Sequence, residues 1–286
     1  MRTIKILFAM AMMMIGISAQ SENVITMISN KNVGDSIWLG FKANGNYALT
    51  GVSGKYEETG SHFALTSDTI TLTGEIKSLN AHDDGLIKID VSEDTALTTL
   101  ICTNNDLTQL DVSKNTKMDW LDFSHNKLTS IDVANDTALT VLDCSYNKLT
   151  KLDVGNNHHL DFLYCYSNLI SETNMSVLVN SLVNRQGDDE GTIVVVNTDG
   201  DTNVCNTDQV AIAKAKNWNV ESSNNEDAFS DYAGSPVSGT ERIADDVNAT
   251  IVGVYDVNGI KIAKMQRGLN IIKMSDGKVK KVFVKE

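Results

Sequence analysis

The chain has 286 residues, 42% of them hydrophobic, with 37 acidic side chains against 24 basic ones and a net charge of −13. Such acidity argues against a nucleic-acid partner, which needs Lys and Arg to displace counterions, and against docking on an anionic bilayer. The length allows one to three domains.

Residues 1–19 read as an export signal. Arg2 and Lys5 form a basic start, residues 6–17 are almost all apolar, and Ser18 and Ala19 precede Gln20 as a cleavage site. The run is too short to span a membrane, and no later segment reaches the roughly 18 apolar residues a span requires. No Cys follows the apolar stretch to carry a lipid. The expected location is the cell surface or the extracellular space, with no transmembrane segment in the mature chain.

Residues 20–75 predict a β-rich N-terminal cap. Strands at 36–42, 47–52, 62–65 and 69–72 are separated by Asn-Gly, Ser-Gly and Thr-Gly turns.

From Ile76 to about residue 171 the chain repeats every 21 residues. Column one holds Ile76, Leu97, Met118, Leu139 and Leu160, and column four holds Leu79, Leu100, Leu121, Leu142 and Leu163. Column six holds Ala81, Cys102, Phe123, Cys144 and Cys165. Columns four and six share one face of a short strand, so stacked units form a parallel sheet that buries this face against its neighbours. Column nine holds Asp84, then Asn105, Asn126, Asn147 and Asn168. An amide both donates and accepts, so these Asn predict a structural ladder that satisfies turn backbone groups of adjacent coils. A 21-residue unit leaves little room for a helix, and the convex segments are expected to be extended or 3₁₀.

Columns three, five and seven should line the concave sheet. They bring together Trp120, Asp122, Val141, Asp143, Phe162, Tyr164 and Tyr166. Exposed aromatics flanked by polar groups suit a protein hot spot or stacking on sugar rings, which makes this patch the candidate site for an extracellular protein or glycan partner.

Residues 172–221 predict an α/β terminal unit, with helices at 174–184 and 207–217 and strands at 191–197 and 218–220. Residues 222–240, rich in Ser, Asn, Gly and Asp and holding the only proline, Pro236, read as a linker. Residues 241–286 predict a small antiparallel β module, because Asn258-Gly259 and Asp276-Gly277 punctuate alternating runs as hairpin turns.

The stretch 97–115, LTTLICTNNDLTQLDVSKN, resembles the leucine-rich repeat family, specifically its 21-residue bacterial type, over about residues 76–171. That resemblance implies a curved, non-catalytic solenoid that offers its sheet face to a partner. Residues 253–260 (GVYDVNGI), 267–274 (RGLNIIKM) and 276–285 (DGKVKKVFVK) resemble the C-terminal sorting domain read by the type IX secretion system. This second resemblance implies passage through the outer membrane by way of the secretion machinery, and attachment to the cell surface. Four triplets, at 35–37, 68–70, 94–96 and 136–138, are similar to O-glycosylation sites of some bacteria with that system.

Three of the four cysteines share column six with Phe and Ala, so they are expected as buried free thiols rather than disulfides. The five histidines fall in no metal-binding spacing, and no cofactor or metal is expected. The repeated Asp90, Asp111, Asp132 and Asp153 are expected to accept hydrogen bonds from nearby turn amides rather than to hold Ca²⁺. Asp199, Asp201 and Asn203 begin like a Ca²⁺ loop but lack its Gly and its terminal Glu. The expected function is non-catalytic binding or adhesion. Two alternatives remain: a glycan-active enzyme or accessory using Asp122 and Asp143, which adjacent strands would hold about 5 Å apart, and a passive surface-layer spacer.

Overall fold

The computed structural model describes residues 23–55, 60–224, 228–237, 251–256, 261–262, 268–274 and 279–284. The export signal and both hairpin turns of the C-terminal module lie outside these residues.

The centre of the molecule is a parallel sheet with one short strand per coil. Strands β7 (Ile76–Asn80), β9 (Thr99–Ile101), β10 (Trp120–Asp122), β11 (Val141–Asp143) and β12 (Phe162–Tyr164) pair in unbroken register. Leu79, Leu100, Leu121, Leu142 and Leu163 align across it and are fully buried. This is the solenoid that the leucine columns imply. On the convex side residues 102–119, 123–140 and 144–161 contain neither helix nor strand, so the coil returns through turns.

Those turns are held by repeated side chains. Asp90, Asp111, Asp132 and Asp153 each accept, through Oδ1, the backbone N–H two residues on, at 2.9–3.2 Å. Column eight supplies one left-handed residue per coil: Asp83, Asn104, His125, Tyr146 and Ser167, with φ between 50° and 60°. Asn, Asp and His tolerate that conformation better than Tyr or Ser, so the coil geometry, not the residue, sets the backbone here.

The Asn ladder is made at every rung. Asn147 Nδ2 donates to the carbonyls of Phe123, Cys144 and Ser145, and its Oδ1 accepts from Leu128 N–H at 3.0 Å. Asn105, Asn126 and Asn168 repeat the pattern. A further rung is Asn203, whose Oδ1 accepts from Ile170 N–H at 2.8 Å and whose amide donates to Cys165 and Val195. The loop that began like a Ca²⁺ site thus closes the ladder. Asp201 serves it by accepting from the N–H groups of Ser167, Asn197 and Asn203.

At the N-terminal end, β2 (Ser36–Ala43) pairs antiparallel with β7 and carries β5 (Ser61–Leu65) and β4 (Val52–Ser53) on its outer side. A second antiparallel sheet stacks β3 (Ala48–Thr50), β6 (Thr69–Thr73), β1 (Val24–Ser29) and β8 (Leu86–Asp90) in that order. Strand β1 was not expected from the sequence, and β8 is the convex half of the first repeat. Together they convert that half-coil from a turn into a sheet edge partner. The run expected at 47–52 is split at Gly51, where φ is +83° and a side chain would meet the Thr69 carbonyl.

At the other end the sheet continues through β13 (Gly191–Asn197) and β14 (Trp218–Ser223), both parallel. Helix α1 (Glu172–Ser181) connects β12 to β13, and α2 (Thr207–Ala215) connects β13 to β14. Ser171 caps α1, and Asn206 with Gln209 forms a reciprocal capping box on α2.

Part of the expected linker 222–240 is folded. Strand β15 (Phe229–Asp231) pairs antiparallel with β14 and extends the sheet to eleven strands. Beyond it, Tyr232 Oη and the Ser235 N–H both donate to the Cys205 carbonyl, at 3.0 and 2.9 Å. Polar composition concealed this strand because one-strand edges need few apolar side chains. In the C-terminal module, β16 (Ile251–Tyr255), β17 (Lys261–Ile262), β18 (Gly268–Met274) and β19 (Val279–Val284) form an antiparallel sheet of order β17-β16-β18-β19.

Candidate functional site

The parallel register sets the concave face in rows. One row runs Thr99, Trp120, Val141, Phe162, Thr192, Asn219 across β9 to β14. The next runs Ile101, Asp122, Asp143, Tyr164, Val194, Glu221, Asp231. Trp120 is 45% exposed and Phe162 43%. They lie two strands apart, about 10 Å, with the half-buried Val141 between them. Leaving two large aromatic faces in water on one flat sheet forgoes burial that a core position would have gained.

The carboxylates of the second row brace the strand ends. Asp122 Oδ1 accepts from Ser124 N–H at 3.0 Å, and Asp143 Oδ1 accepts from both the N–H and the hydroxyl of Ser145. Partial burial raises the Asp122 carboxyl above the ordinary carboxylate range, against the lowering effect of the Ser124 bonds. Burial and the Asp143 charge likewise raise the Tyr164 phenol.

From the third coil to the fifth, column seven does not belong to the open face. Ser124, Ser145 and Tyr166 are buried, Tyr166 to 5% exposure. The serines fold back toward their column-five carboxylates, and Tyr166 is covered by two rings: Tyr146, edge-on at 5.2 Å, and Phe229 at 6.4 Å. Its place in the exposed patch is therefore corrected to a packed rim.

That rim was not legible in the sequence. His125 and Tyr146 stack at 3.9 Å with their planes 14° apart, and Phe229 of β15 reaches Tyr164 at 5.7 Å. A chain of rings thus runs from His125 to Tyr164 along the edge of the face. Column eight turns outward through its left-handed backbone, and Phe229 comes from the stretch read as a linker. Tyr146 Oη is fixed by the Asn197 amide at 3.1 Å. A depression of 530 Å³ lies on this rim, lined by Asn104, His125, Lys127, Tyr146 and Ser167.

Cys102, Cys144, Cys165 and Cys205 are free and buried. Among the described residues, no group of three or more His, Cys, Asp or Glu is placed to hold a metal ion, and no helix is long and apolar enough to cross a membrane. In the Asp-Thr-Ala triplets, Asp94 and Asp136 are fully buried, and Asp94 accepts from the N–H groups of Ile76 and Ala96.

Strand register and the leucine columns define a solenoid of 21-residue coils with aromatic side chains on its concave face. No protein-family model matches the chain, and no curated protein matches it. Among solved structures, the chain is similar to the functional domain of InlJ from Listeria monocytogenes, described as including a cysteine ladder. The identity is 20% over 72% of this chain and 66% of that one, with a TM-score of 0.28. It is also similar to an internalin (inlF) from Listeria monocytogenes, at 16% identity over 52% of this chain and 47% of that one, with a TM-score of 0.34. The chain thus spans about two thirds of the first and about half of the second. The fold assignment rests on the register described above, not on these two structures.

Proposed function

We propose that this chain is an exported, non-catalytic binding or adhesion protein that presents the concave face of its solenoid to an extracellular protein or glycan. The observation that carries this reading is the exposed pair Trp120 and Phe162, in register across Val141 on a rigid sheet. Large aromatics dominate binding energy where they can be buried by a partner, and a solenoid binds on its concave side. In this reading the N-terminal strands and the unit from α1 to β14 cap the two ends of the core. The C-terminal module delivers the protein to the secretion machinery and the cell surface.

The test is capture of extracellular protein and glycan libraries by immobilised protein, native against Trp120→Ala with Tyr164→Ala. The double variant is expected to lose capture while its melting temperature stays within a few degrees of native. Unchanged capture would overturn the site, and a native protein that retains nothing would favour the spacer. Turnover of a glycan that disappears in Asp143→Asn would favour the enzyme reading. Intact mass of the surface-exposed product, lacking residues 1–19, tests the export route.

A further inference from the structure

We infer that the partner meeting this face is a protein bearing clustered Lys and Arg, which rests on the concave-face reading above and names its ligand class. None of the positions 99–103, 120–124, 141–145, 162–166, 192–196, 219–223 or 229–231 is Lys or Arg. The face therefore brings carboxylates but no cation of its own on any strand from β9 to β15. Glu221 and Asp231 sit directly opposite each other on antiparallel strands, an arrangement that destabilises a sheet unless something neutralises it. Glu221 accepts a hydrogen bond from the Asn219 amide, which orders it without supplying charge.

The aromatic groups are placed to help the same ligand. Trp120 and Asp122 lie two residues apart on β10, so their side chains share one face. An Arg laid over the Trp120 ring would gain a cation–π contact and reach the Asp122 carboxylate at once. Asp122 and Glu221 lie four strands apart in one row, about 19 Å along the sheet, with Tyr164 between them. An extended segment of about six residues covers that distance, so the face selects spaced cations on a protein segment rather than a single ion. A neutral sugar would use the rings but bring no charge to Asp122 and Glu221.

The experiment is fluorescence anisotropy of a labelled arginine-rich peptide of about 20 residues, compared with its glutamine counterpart and a neutral oligosaccharide. Asp122→Asn with Glu221→Gln keeps the acceptor oxygens and removes both charges. It is expected to weaken the arginine peptide about five- to tenfold. Asp111→Asn with Asp132→Asn, an equal charge change on the convex turns, is expected to weaken it by less than about twofold. Circular dichroism melting establishes that each variant is folded. Equal losses from the two pairs would overturn the inference, since bulk charge would then account for binding. Equal binding of the glutamine peptide or the oligosaccharide would overturn it as well. If Trp120→Ala with Tyr164→Ala abolishes capture while the neutralised concave pair captures normally, the charge inference falls and the concave-face reading stands. If the aromatic double variant captures normally, the concave-face reading itself has failed.

Discussion

Asn157 donates its side-chain amide to the backbone carbonyl of Asp136 at 2.9 Å, while the carboxyl group of Asp136, fully buried, has no hydrogen-bond partner. The two residues occupy the same column, one coil apart. In that column Asn115 and Asn157 each donate to two carbonyls of the preceding coil, 21 and 24 residues back. The corresponding carbonyls for Asp136 are those of Val112 and Asn115. A carboxylate therefore brings an acceptor to a position built for a donor.

Burial, together with the charges of Asp132 and Asp111, pushes the Asp136 carboxyl up to about 7. Its proton is bound more tightly in the folded state than in the unfolded one, near 3.9. Stability is accordingly unaffected below about pH 4, falls as the pH rises, and carries the full penalty above about pH 8. Asp136→Asn is expected to raise stability at pH 8 by roughly 1–3 kcal/mol and to flatten the melting-temperature profile above pH 6. The check is thermal melting from pH 4 to 9. A residual fall belongs to the other carboxyls that burial raises, Asp84 (to about 6, despite its bond from Trp38 N–H), Asp94 and Asp122.

The Asn ladder ties each coil to its neighbours through buried hydrogen bonds. Asn147→Ala leaves the Leu128 N–H without its acceptor and removes one of the two donors at the carbonyls of Phe123, Cys144 and Ser145. A loss of about 2–4 kcal/mol is expected, measured by urea denaturation. Asn203→Ala should cost a comparable amount, because its amide makes the equivalent bonds between the last repeat and β13. A cost close to zero there would mean the ladder ends at Asn168.

All four thiols are buried, and burial pushes each of them up, Cys205 to about 12. Thiolate is the reactive form, so iodoacetamide at pH 8 is expected to label none of them in the native protein and all of them in denaturant. Mass spectrometry counts the adducts. Native labelling of Cys205 alone would show that the segment from β15 to Ser235, which covers it, opens readily.

Gly234 tests that segment directly. Its φ is +91°, and a side chain there would lie 2.5 Å from the Thr207 backbone N. Gly234→Ala is expected to release the Ser235–Cys205 bond and detach β15, with a cost of about 1–3 kcal/mol. Limited proteolysis near residue 230 is the readout, and resistance equal to native would remove this role from Gly234.

The repeat was readable from sequence because each coil buries the same columns against its neighbours. Leu100, Leu121 and Leu142, or Asn105, Asn126 and Asn147, solve one packing problem three times, so a 21-residue period alone reveals the parallel sheet and its two faces. Trp120 and Phe162 were legible as exposed aromatics for the same reason. Three features were decided only by tertiary contacts. Tyr166 is buried because Phe229, far along the chain, packs over it. Glu221 and Asp231 join the concave row because β15 pairs with β14, a pairing that its short polar sequence does not announce. Asn203 completes a ladder whose other rungs are at least 35 residues away, outside the period. Periodicity records interactions between equivalent neighbours; it is silent where a non-repeating segment returns to the solenoid, since nothing in such a segment's own composition reflects the partner it meets.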